Sequence, residues 1–123
     1  MSKILIADDN QDSLEILGVI LRNAGYPVIT AQDGVEAVEK VRAEAPALLL
    51  LDLMMPKLNG FGVIEAMRAQ SPKAPPTIVV LTNYAFPEYE VACRQRGADF
   101  FFDKSTQFGA VKQLLSVLRD RAH

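Results

Sequence analysis

Short apolar runs alternate with longer stretches of helical periodicity along the whole chain, and no other feature of the sequence constrains the fold as tightly. The runs are Lys3–Ala7, Tyr26–Ala31, Ala47–Leu51, Thr77–Thr82 and Asp99–Phe102. Between them lie five expected helices. The first is Ser13–Ala24, with Leu14, Leu17, Leu21 and Ala24 on one face and Gly25 in the position a helix end prefers. The second starts at Asp33, with Glu36 placed for a capping box, and ends near Glu44 ahead of Pro46. Asn59 caps a third helix reaching about Gln70, and Pro87 opens a fourth reaching Arg96. Ser105 or Thr106 opens a fifth that ends near Arg121. Strand–helix alternation implies a parallel sheet covered on both faces. The first, third and fourth runs fit this because they are nearly continuously apolar. Right-handed crossovers then give a small doubly wound α/β sheet, (β/α)5. The whole of 1–123 reads as a single domain, with Ser71–Pro76 a rigid connection inside it.

Composition narrows the function classes. A formal net charge of −2 over 123 residues gives no basic footprint for nucleic acid. The apolar runs are far too short to span a bilayer, and Met-Ser-Lys leads straight into the first strand without a signal-peptide pattern. One cysteine, Cys93, excludes an internal disulfide and fits a reducing cytoplasm. The only histidine is His123, so no Ser-His or Cys-His pair can be built on the scaffold, and no Cys/His cluster suggests zinc.

Ligand sites in doubly wound folds lie beyond the carboxyl ends of the strands. There the first strand delivers Asp8 and Asp9, the third Asp52, the fourth Thr82 and the fifth Lys104. Three close carboxylates repel one another, so their pKa values rise or a cation binds. An all-oxygen donor set favours Mg²⁺, with Mn²⁺ as the alternative. Acids, a metal, a lysine and a hydroxyl suit phosphoryl transfer, and a carboxylate can itself be the nucleophile. Each residue also has a plainer reading: Asp8-Asp9 as acids at a helix N-terminus, Thr82 as a strand residue, Lys104 as a solvated lysine. It is their joint placement at one edge, in this order, that favours chemistry.

These residues, with the segment Leu51-Asp52-Leu53-Met54-Met55-Pro56-Lys57-Leu58-Asn59-Gly60, resemble the signature of response-regulator receiver domains over essentially the whole chain. The resemblance implies a flavodoxin-like sheet of strand order 2-1-3-4-5. It implies that Asp52 accepts a phosphoryl group from a histidine kinase or histidine phosphotransfer protein. Asp9, Asp52 and the backbone carbonyl of Met54 would bind Mg²⁺, with Asp8 acting mostly through water. Lys104 would pair with phosphoryl oxygens, and Thr82 and Phe101 would be the switch residues. The fourth helix, fifth strand and fifth helix would then present a changed face to a downstream protein or a second copy. Such a protein is not a conventional enzyme, although it would phosphorylate itself from phosphodonors and dephosphorylate itself.

Two departures from that pattern stand out. Lys104 is followed by Ser105 where the family usually has proline. A cis bond before a non-proline residue costs about 3–4 kcal/mol, so this bond is expected to be trans, with Ser105 or Thr106 capping the last helix. Met54 and Tyr84 flank the site with apolar surface, which suggests a water-poor phosphoryl site and slow self-dephosphorylation. A phosphatase acting on external substrates would usually carry a second acid two residues after its nucleophile, and here that residue is Met54. A binding module that had lost phosphorylation would have no need of all five polar residues.

Overall fold

The computed structural model describes residues 3–69, 76–105 and 108–121. Strands β1 (Ile4–Ala7), β2 (Val28–Ala31), β3 (Leu48–Leu51), β4 (Thr77–Thr82) and β5 (Phe100–Asp103) alternate with helices α1 (Gln11–Asn23), α2 (Gly34–Glu44), α3 (Gly60–Ala69), α4 (Pro87–Arg96) and α5 (Phe108–Arg121). The strands form one sheet in the order β2-β1-β3-β4-β5, and every pairing is parallel. The doubly wound sheet expected from the sequence is therefore present, with its strand order.

Alternate residues along each strand feed two cores. Leu5, Leu49, Leu51, Ile78, Val80 and Phe101 pack with Ala37 and Val41 of α2, Val63, Ile64 and Met67 of α3, and Cys93 of α4. Ile4, Ile6, Leu48, Leu50, Val79 and Leu81 pack on the other face with Leu14, Leu17 and Leu21 of α1 and Leu115 of α5. Because both faces of β1, β3 and β4 are covered, continuous apolar runs are what these strands require.

Local signals set most of the helix bounds. Asp33 accepts the Glu36 N–H at 2.8 Å, as the capping-box spacing predicts. The returning bond goes one residue further back, from the Gln32 N–H to Glu36 Oε1 at 2.8 Å. Asn59 likewise accepts the Gly62 N–H at 3.0 Å, and Pro87 opens α4. Gly25 and Gly97 follow α1 and α4 with φ of 93° and 112°, a region that costs glycine little.

Several expected bounds are corrected, β1 and β3 each starting one residue later than expected. Helix α1 begins at Gln11 rather than Ser13, because the cap is Asn10, whose side chain accepts the Ser13 N–H at 3.1 Å. Strand β2 starts two residues later than expected, at Val28. Strand β5 runs one residue later, over Phe100–Asp103, since the Asp99 carboxylate turns aside to accept the Ile78 N–H at 2.8 Å. The expected connection Ser71–Pro76 lies almost wholly outside the described residues, as does Thr106.

Candidate functional site

Ladder hydrogen bonds carry on one step past the strands and so fix the backbone of the polar residues there. The Asp8 N–H bonds to Ala31 O at 3.0 Å, Asp52 N–H to Ala7 O at 2.9 Å, and Lys104 N–H to Thr82 O at 2.8 Å. Side chains that follow β1, β3 and β5 are thereby brought to one edge. Carboxylate oxygens of Asp8, Asp9 and Asp52 lie within 4.8 Å of one another. Asp8 is buried, Asp52 half-buried and Asp9 exposed. The Lys104 ammonium forms an ion pair with Asp8 at a point where both side chains are largely shielded from solvent. Asp8 also accepts the Asn10 N–H at 2.9 Å, so the same residue that caps α1 orients the Asp8 carboxylate.

Electrostatics single out Asp52. Burial first, and then the charge of Asp8, push its pKa up to about 6, against the pull of Lys104 and the Leu53 and Met54 backbone N–H groups. A carboxylate so placed is held in an environment short of positive charge. A divalent cation among the three acids would relieve that deficit, and the donor set is wholly oxygen.

Thr82 is fully buried, and its hydroxyl oxygen accepts the Tyr84 N–H at 3.0 Å. This bond ties the start of the β4–α4 loop to the strand end. Phe101 is buried in the core that faces α2, α3 and α4. Phe100 and Phe102 point to the opposite face, where their rings stack at 6.4 Å. Met54 and Tyr84 are exposed at the rim. Cys93 is buried and its thiol is pushed up to about 11 by desolvation, so it is no nucleophile at neutral pH.

The loop from β3 to α3 is set by close backbone contacts. The Gly60 N–H bonds to Leu53 O at 2.8 Å. Leu58 N–H bonds to Pro56 O at 2.7 Å around Lys57, whose φ is 68°; this is a three-residue γ-turn. Lys57 reaches Asp33 at the start of α2 at 3.5 Å. A Cβ on Gly34 would lie 1.8 Å from Leu58 O, so the loop can seat here only against glycine.

All the site residues singled out in the sequence are therefore at or beside the carboxyl edge, Phe101 lying in the core beneath it. Reading the sequence missed Asn10, the Tyr84 N–H, and a turn after β5. There Asp103 Oδ1 accepts both the Ser105 N–H at 2.9 Å and the Ser105 hydroxyl at 2.6 Å. The Lys104–Ser105 bond is trans, as expected; no cis peptide occurs among the described residues. Ser105, however, does not cap α5, which begins only at Phe108: its hydroxyl is committed to Asp103. Aspartate two residues before serine is an Asx-turn pattern and was a usable signal.

The family model described as the response regulator receiver domain matches residues 4–116. The chain belongs to that family. Among curated relatives, the alkaline phosphatase synthesis transcriptional regulatory protein PhoP of Bacillus subtilis (strain 168) is 39% identical over 102 residues, 83% of this chain and 42% of the relative. The chain spans less than half the length of the curated relatives it matches. Among solved structures, the chemotaxis protein CheY4 of Vibrio cholerae is 30% identical with a TM-score of 0.83, covering 97% of this chain and 98% of that one. The response regulator TrrA of Thermotoga maritima, solved in complex with Mg²⁺-BeF, is also 30% identical with a TM-score of 0.83, covering 96% and 99%. This receiver domain is thus a two-component signalling module, of a family that is generally not a conventional enzyme. No described helix is long and apolar enough to cross a membrane.

Proposed function

We propose that this receiver domain takes a phosphoryl group on Asp52 from a phosphohistidine of a histidine kinase or phosphotransfer protein. A carboxylate oxygen of Asp52 attacks phosphorus, the P–N bond to the imidazole breaks, and an acyl phosphate forms. The observation that carries this reading is the half-buried Asp52 carboxylate, raised to about 6, beside two further acids within 4.8 Å. At neutral pH Asp52 is mostly ionised and therefore nucleophilic, yet poorly solvated, so little hydration must be stripped before attack.

Asp9, Asp52 and the Met54 carbonyl would hold Mg²⁺, or Mn²⁺, with Asp8 acting through water. The ion would offset the charge gathering on the phosphoryl oxygens. Asp8 holds Lys104 by its ion pair until an incoming phosphoryl group offers the ammonium a second partner. Thr82 accepts from the Tyr84 N–H and still has its own hydroxyl proton to donate, so it can bond a phosphoryl oxygen and draw the β4–α4 loop after it. Phe101 packs in one core with Cys93 of α4, which gives a route from the site to the face made by α4, β5 and α5. A downstream protein or a second copy would read that face; Val91 of α4 is exposed. The domain would act in the cytoplasm, within the single unit 1–123, with no direct contact to nucleic acid.

Beryllofluoride with Mg²⁺ tests the reading, followed by NMR amide shifts. Wild type should form a saturable adduct that moves the signals of Thr82, Tyr84 and Lys104, while D52N should form none. An equal response in D52N would overturn the assignment.

A further inference from the structure

Lys104 is the one cation among the described residues that pairs with the acidic cluster, and its backbone is held on two sides. On the upstream side its own N–H bonds to Thr82 O at 2.8 Å, which fixes it to the end of β4. On the downstream side the next residue, Ser105, is fixed by Asp103: one carboxylate oxygen takes the Ser105 N–H at 2.9 Å and the Ser105 hydroxyl at 2.6 Å. The second clamp closes a turn directly over Lys104, because its two ends are the residues that flank it in the chain.

We propose that Asp103 is a positioning residue for Lys104. Its carboxylate holds the turn that aims the lysine side chain at Asp8 and the acidic cluster. Ser105 carries no ring to stiffen this segment, so the aim depends on hydrogen bonding. A charged acceptor taking two short bonds is a stronger constraint than a neutral turn. The side-chain route is long and flexible, and an ammonium on four methylenes points only where its backbone lets it. That the aimed lysine serves phosphoryl transfer rests on the function proposed above; that Asp103 aims it does not.

The test separates the two. Metal-free protein is treated with a limiting amine-reactive acyl reagent, and labelling is read lysine by lysine by mass spectrometry in wild type, D103A and D103N. In wild type Lys104 is shielded, its side chain being 14% exposed against 42% for Lys3 and 38% for Lys40. D103A is expected to raise Lys104 labelling about fivefold, the weight of about one net hydrogen bond, with Lys3 and Lys40 unchanged. D103N keeps a carbonyl acceptor for both donors and should restore wild-type labelling. The same variants are then given beryllofluoride and Mg²⁺, where D103A should need more beryllofluoride for half-saturation and D103N should not. Unchanged Lys104 labelling in D103A overturns the proposal. So does a rise shared by all lysines, which means loosened structure, or a rise equal in D103N, which means a simple charge effect. If wild type takes no beryllofluoride adduct, the phosphoryl reading fails while the labelling still decides the role of Asp103.

Discussion

Asp52 stands between opposing demands. As the proposed nucleophile it must be ionised, yet burial and the neighbouring Asp8 make ionisation costly and hold its pKa near 6. The folded chain therefore binds the Asp52 proton more tightly than the unfolded chain does. Below about pH 4 the carboxyl is protonated in both states and costs nothing. As pH rises through about 6 the folded state must accept a poorly solvated charge, and stability is lost. In metal-free buffer at pH 7.5, D52N should be more stable than wild type by about 1–2 kcal/mol, after allowing for solvent screening of a partly exposed group. At pH 4 that gain should shrink towards zero. Urea denaturation at the two pH values checks both; a gain independent of pH would mean that Asp52 ionisation is not its source. Phosphorylation from a small phosphodonor should slow as pH falls below about 6. Also at this scale, Met54 and Tyr84 line the rim with apolar surface. Replacing them in M54N/Y84A should open the site to water and shorten the phosphoryl lifetime about tenfold, an outcome followed by loss of radiolabel; equal lifetimes would exclude water screening as the cause.

The β3–α3 loop shows how an element can be fixed by what it lacks. Leu58 O occupies the place where a Gly34 side chain would begin, and the γ-turn at Lys57 and the Lys57–Asp33 pair hold the loop against α2. G34A should cost about 2–4 kcal/mol, because two backbones cannot both stay in place and the loop would be pushed from the site. G109A, with nothing near its Cβ, should leave stability unchanged or slightly higher. Thermal denaturation of both variants would show the contrast. The element scale also shows what the sequence could reveal. The bounds of α2, β4 and α4 were legible because local chemistry sets them: Asp33, Pro87 and the continuous apolar run of β4. Asp8, Asp9, Asp52, Thr82 and Lys104 were legible because each lies at or just past the end of an apolar run, and strand ends of a parallel sheet must meet. The shifted β5 was not, since Asp99 leaves the strand to bond a backbone N–H of β4, a partner distant in sequence. Nor was the cap at Asn10, hidden behind two acids that compete for the same reading. Asp103 and Ser105 followed a motif whose spacing is known, but Ser105 could equally have begun a helix, and only the hydrogen bonds separate the two.

On the scale of the whole molecule, the acidic cluster exists only because the chain is folded. Asp8 and Asp9 follow β1, Asp52 follows β3, and the Lys104 that pairs with Asp8 follows β5 at the edge of the sheet. In the unfolded chain Asp52 is far along the sequence from Asp8 and Asp9, so any cation affinity of the cluster belongs to the folded state. Mg²⁺ bound there as proposed would stabilise the fold by mass action, by about 2.7 kcal/mol at one hundred times its dissociation constant. Burial and the neighbouring Asp8 charge make ionisation of Asp52 costly, and a cation held among the three acids would relieve that cost. Tm should therefore rise with Mg²⁺ along a saturating curve and respond far less to NaCl at equal ionic strength, since general screening cannot replace direct coordination. D9N should flatten that curve without unfolding the protein, because Asp9 is exposed and makes no core contact. Lowering the pH below about 6 should flatten it too, as protons compete with the ion for Asp52. A Tm that follows ionic strength alone, and is indifferent to D9N, would mean that the three acids do not act together as a cation site.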